Sequence, residues 1–334
     1  MIRKNIITII LIADALLLLF GYLNFRLFPE KAGLPRQYTA DINSFSFDPD
    51  DYYMGEKIIE FDGKKITKPG MVDFYLRNYK KNDTVTINSQ YNGRIIEREV
   101  VLPPMYGDYD LVIMACVGLF YVFTGIFILI KFRNTVFSYV IHAATVFTAV
   151  MILFDESDMI TYAPAVHYFI MAAFECSIFL VPVTFLHFSF TFPVPKPRFK
   201  YLILVPFYVA AAALIITNLI NLTEIFFFGE DVSKSYFLNI HSTVSDIFLA
   251  TGLTLTIAKL EHSALTIKDS LSRRQIYWVL LGITFGPLIY VFMILLPRLI
   301  MGYELVRDSI MQFTVIVAPV MLLISVTRKN GKTN

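Results

Sequence analysis

The sequence predicts a polytopic α-helical membrane protein of about eight transmembrane helices that carries one small β-rich extracytoplasmic domain. Three observations predict this fold class. Of the 334 residues 56% are hydrophobic, and the mean hydropathy is +0.60, which is far above an ordinary soluble domain. Apolar runs of about twenty residues, each long enough to cross about 30 Å of hydrocarbon, recur along the chain. Lys and Arg gather in alternate connections between those runs, which gives the runs a direction.

The first run, Asn5–Tyr22, follows Arg3 and Lys4. A secretory signal peptide begins the same way, with a short basic start before an apolar core. The bulky sequence Gly21-Tyr22-Leu23-Asn24-Phe25-Arg26 offers no small-x-small cleavage site, so a retained helix is expected. A polar stretch follows. Ile58, Ile59 and Phe61 make a β-prone run that stops at Asp62-Gly63, where Gly accepts positive φ and Asp bonds its own backbone. A partly helical spacer leads to Thr84-Val85-Thr86-Ile87. Asn92-Gly93 then separates that strand from Ile95–Val101, a strong hairpin signal.

The second run is Asp110–Ile130, closed by a turn at Lys131–Asn134, and the third is Val136–Phe154. The acidic loop Asp155-Glu156-Ser157-Asp158 precedes the fourth, Tyr168–Phe190. Prolines at 193, 195 and 197 end that run at the membrane surface. The fifth, Tyr201–Ile220, is followed by an aromatic loop from Phe226 to Phe237. The sixth covers His241–Ala258, and a polar connector is expected over Lys259–Gln275. Ile276–Leu296 and Ser309–Val326 complete the set. The chain thus divides into a first helix (1–24), the extracytoplasmic domain (25–108), a seven-helix bundle (109–327) and a cytoplasmic tail (328–334).

With both termini in the cytoplasm, the inner connections hold Arg3, Lys4, Lys131, Arg133, Lys196, Arg198, Lys200, Lys259, Lys268, Arg273, Arg274, Arg328, Lys329 and Lys332. The outer loops of the bundle hold only Lys234, Arg298 and Arg307. The cell membrane is the expected location, with membrane lipids as partners. A net charge of +2 gives no field for nucleic acid. Cys116 and Cys176 lie inside apolar runs, with no CxxC and no Cys/His metal spacing, so neither a metal nor a cofactor is expected. The chain contains no G-x-S-x-G, H-E-x-x-H or P-loop, and no enzyme is expected.

Five ionisable residues fall within the runs: Asp14, His142, Glu175, His187 and Asp246. Such groups are costly in hydrocarbon and usually face a bundle interior or a water-filled cavity. At about 1.5 Å per residue, Glu175 and Asp246 lie in the outer half of the membrane. His142 and His187 lie in the inner half and Asp14 near mid-depth. Depth therefore suggests an outer acidic pair and an inner histidine pair. Two readings stand: a polar cavity open to a ligand or proton from outside, or interhelical hydrogen bonds that hold the bundle. For the histidines the second is expected.

Two resemblances add to this reading. The stretch Gly55–Leu102, from GEKIIEFDGKKI to REVVL, resembles the second half of a bacterial PDZ domain. That likeness implies an amide-lined loop for a peptide or protein C-terminus, and upstream only Ala32-Gly33-Leu34 offers one. It also allows a degenerate domain that serves as a spacer or docking face. The sequences Leu186-His187-Phe188 through Phe192-Pro193 and Arg273-Arg274-Gln275 through Trp278, Leu280 and Gly282 resemble motifs in the membrane input regions of bacterial sensor histidine kinases. The competence and quorum-sensing type is the most similar. This implies an input module that passes an extracytoplasmic signal to a cytoplasmic signalling protein, as a monomer or homodimer. Beyond Val326 only Thr327 and a short polar tail follow, so no autophosphorylation is expected of this chain. A transporter or envelope-assembly scaffold is the alternative. Arg273, Arg274 and Trp278 also suit plain membrane anchoring, cations at the headgroups and indole at the interface.

Overall fold

The computed structural model describes residues 2–34, 57–67, 70–91, 93–105, 107–133, 135–154, 164–193, 200–228, 236–301 and 314–327. Among them, seven helices are long and apolar enough to cross a membrane. These are α1 (Ile2–Phe25), α3 (Asp108–Lys131), α4 (Val136–Leu153), α5 (Pro164–Thr191), α6 (Lys200–Phe227), α7 (Tyr236–Thr266) and α8 (Ser270–Phe285) with its continuation to Leu295. The continuation comprises α9 (Pro287–Tyr290) and a π-helical turn, Val291–Leu295; α10 (Leu296–Met301) follows. The last run appears as α11 (Val317–Thr327), an apolar helix of 11 residues. The beginning of that run, and the acidic loop at 155–158, lie outside the described residues.

The polar stretch folds as a small antiparallel sheet in the order β2-β1-β3-β4, with strands β1 (Lys57–Phe61), β2 (Lys64–Lys65), β3 (Thr84–Tyr91) and β4 (Arg94–Val101). Both turns fall where the sequence places them. Asp62 and Gly63 take φ of 48° and 75°, and Gly93 takes 78°. A bulge between Ile58 and Glu60 shifts the register, so that Ile58 and Phe61, three residues apart, face the same way. Both are buried with Val85, Ile87 and Val100 under the short helix α2 (Gly70–Leu76), which contributes Met71, Val72 and Leu76.

This domain is tied to the membrane helices at both ends. The chain leaving α1 pairs with the chain entering α3: Gly33 N–H donates to Pro103 O at 2.8 Å and Met105 N–H to Lys31 O at 3.0 Å. Lys81 N–H donates to Glu30 O at 2.9 Å, joining the same segment to the domain.

In the bundle α5 is central, packing on α4, α6 and α7, while α8 pairs with α11. The expected polar connector after the sixth run is instead mostly helical. α7 continues to Thr266 because Leu260, Ser263 and Ala264 keep a buried face, and only Ile267–Asp269 link it to α8. Asp269 caps α8 by accepting from Leu271 and Ser272 N–H. The seventh run is interrupted at Gly286. Pro287 supplies no N–H there, and the π-helical turn precedes Pro297.

Candidate functional site

Asp14, His142, Glu175 and Asp246 are buried, at 4%, 5%, 3% and 6% exposure, so each needs a partner inside the protein. The structure joins Asp14 to His142, on α1 and α4, with Oδ2 and Nε2 3.3 Å apart. The geometry is not that of an aligned hydrogen bond. Asp14 Oδ2 and His142 Nδ1 are both buried without a hydrogen-bond partner. On α1, Ile9, Ile12, Leu16, Leu19 and Leu23 are exposed, which leaves a narrow inward stripe of Asp14, Gly21 and Asn24. Asn24 donates from Nδ2 to Leu153 O at 3.3 Å. Asp14 also borders a cavity of about 10 Å³ with Leu18, Val146 and Val150. That is room for one water at most.

The imidazole has space because α3 offers a glycine opposite it. A Cβ on Gly125 would lie 3.1 Å from His142 Nδ1 and collide with the Thr145 hydroxyl. Depth alone grouped His142 with His187, but each has its own partner. His187 Nδ1 shares a hydrogen bond with Tyr208 Oη of α6 at 2.9 Å, the rings edge to face. Glu175 accepts from Asn218 Nδ2 across the α5–α6 contact at 3.4 Å. Asp246 is buried beside Ser245 on α7. Asn24, Tyr208 and Asn218 were not singled out in the sequence. An amide within an apolar run is the signal that could have found the two asparagines.

The Arg-Arg-Gln motif has a structural explanation. Arg273 turns back to cap the α7–α8 link, donating from Nε and Nη2 to Ile267 O at 3.2 and 2.8 Å. Gln275 is buried, and its side chain and backbone both bond to Ser325 of α11. Arg274 is exposed and Trp278 half-buried. Gly282 lets α11 approach closely, since a Cβ there would sit 2.8 Å from Met321 Cβ and 3.1 Å from Ala318 Cα.

Of Ala32-Gly33-Leu34, Ala32 is buried in the domain core and the Gly33 amide already has Pro103 O as its acceptor. The cysteines are free thiols, and no group of three His, Cys, Asp or Glu is arranged to hold a metal among the described residues. Comparisons with protein-family models, curated proteins and solved structures each find no match.

Proposed function

We propose that the protein is the membrane input module of a bacterial signalling system. It crosses the membrane eight times, keeps both termini in the cytoplasm and presents residues 25–108, a PDZ-like domain, outside. A peptide, lipid or envelope signal acts on that domain, and a separate cytoplasmic protein reads the response. The observation that carries this reading is the double attachment of the sheet domain. Hydrogen bonds from Gly33 and Met105 lock the exit of α1 to the entry of α3, so a force on the domain reaches both helices together. α3 is packed into the bundle, whereas α1 meets it along a narrow stripe whose mid-depth polar contact is Asp14–His142. α1 is therefore the element that a bound signal would displace. At the opposite end, Gln275 and Ser325 couple α8 to the last helix, next to the tail that a partner would contact.

The test is a photo-crosslinking amino acid placed in the tail at position 332, read in native membranes. Asp14→Asn and His142→Gln should leave the protein level unchanged and alter the yield of the captured partner several-fold. Unchanged capture in both variants would overturn the reading.

The interrupted seventh span favours a second reading. A helix broken at Gly286-Pro287 and followed by a π-helical turn is a feature of transporters, where unwound backbone lines a substrate path. Uptake of a radiolabelled substrate by vesicles containing this protein alone would decide for transport.

A further inference from the structure

Arg77, just after α2, reaches from the sheet domain onto the bundle. Its Nη1 contacts Met171 Sδ of α5 at 3.2 Å, and its Nε is buried without a hydrogen-bond partner. A thioether sulfur is a weak acceptor, and Arg77 forms no ion pair among the described residues. A guanidinium held in this way lacks an anion that can take its fork of donors.

The depth of Met171 indicates where that anion would come from. Thr191 ends α5 20 residues further on, about 30 Å at about 1.5 Å per residue, which is one hydrocarbon thickness. Met171 thus lies at the headgroup boundary on the side of the sheet domain. Tyr168, Phe226 and Phe227 cluster there edge to face, as aromatic side chains do at a membrane interface.

A groove of about 340 Å³ runs along the outer part of α6, lined by Ile216, Leu219, Ile220, Thr223, Glu224 and Phe228. Leu219 belongs to the same packed cluster as Met171. The lower wall is apolar, with Ile216 and Ile220 exposed, whereas Thr223 and Glu224 stand at headgroup level. Glu224 disfavours a wholly anionic headgroup and suits one that carries an amine.

We infer that this junction is a phospholipid site. The phosphate of a zwitterionic lipid takes the free donors of Arg77, and one acyl chain lies in the groove along α6. The sheet domain is thereby seated on a lipid as well as on protein.

The experiment uses the full chain in maltoside detergent, titrated with a phosphatidylethanolamine bearing a photoactivatable acyl chain. Adducts are mapped by mass spectrometry, and thermal stability is followed on addition of unlabelled lipid. Saturable adducts over residues 216–228 are expected, with affinity about tenfold weaker in Arg77→Gln, the effect of losing a charge-assisted hydrogen bond. Arg77→Lys, which keeps the charge but not the fork, should fall between. Ile220→Trp, at a lipid-facing position, should block the adducts and keep the fold even if the Arg77 variants fail to fold. Equal labelling in Arg77→Gln, or adducts elsewhere, would overturn the proposal. Displacement by inorganic phosphate with no groove labelling would replace the lipid with a free anion. Displacement by a peptide with a free C-terminal carboxylate, abolished by amidation, would replace it with a peptide.

Discussion

Gln275 and Ser325 exchange two hydrogen bonds across the contact of α8 with α11: Gln275 Nε2 donates to Ser325 O at 3.1 Å, and Ser325 Oγ to Gln275 O at 2.9 Å. Each bond joins one side chain to the other residue's backbone, so the two share no atoms. Gln275→Ala and Ser325→Ala should each destabilise the protein in detergent by about 1 kcal/mol, the ordinary range for interhelical hydrogen bonds in membranes. The double variant should be close to the sum. A thermal-unfolding series on the three variants checks this, and an effect near zero for Gln275→Ala would remove the clamp.

The Asp14–His142 contact makes a stronger demand, because both groups are buried. Asp14→Ala leaves the buried imidazole without its polar partner and should cost about 1–3 kcal/mol, the range for a buried polar group left unsatisfied. Gly125→Ala should also destabilise, by about 1–3 kcal/mol, through its collision with Thr145. Removing the hydroxyl in a Gly125→Ala, Thr145→Ala double variant should restore part of that loss. Thermal stability of the four proteins, Asp14→Ala, both Gly125 variants and wild type, tests whether the slot for His142 is built as described.

The sheet domain carries a pH-dependent contact. The Tyr79 hydroxyl bonds the Asp62 carboxylate, and burial, followed by that bond and the carboxylate charge, pushes its pKa up from 10.0 to about 12. In the unfolded chain the phenol ionises near 10.0, so the stabilisation is complete below that pH and is lost as pH rises toward about 12. Tyrosinate absorbance, read as the difference from Tyr79→Phe, should show this late titration. Asp62→Asn should move it back toward 10.0.

Topology is tested by labelling in intact cells, with Cys116 and Cys176 replaced by Ser. Single cysteines at Lys64 and Asn92 should react with an impermeant reagent, whereas those at Lys196, Lys268 and Lys332 should not. Labelling at position 268 from outside would overturn the eight-span arrangement.

Seven of the spans and both tight turns were legible because their causes are local. About twenty apolar residues specify a membrane helix wherever they stand, and Asp62-Gly63 and Asn92-Gly93 specify turns through their own φ preferences. The candidate site was legible only in part. The sequence named Asp14, His142, Glu175 and His187 as residues in need of partners, and it placed each at a depth. Depth is one coordinate. Which residues meet also depends on the rotation of each helix about its axis and on which helix lies beside it, and both follow from packing over the whole bundle. Tertiary structure therefore decided that Asp14 meets His142, that Asn218 and Tyr208 serve Glu175 and His187, and that a bulge turns Ile58 inward beside Phe61.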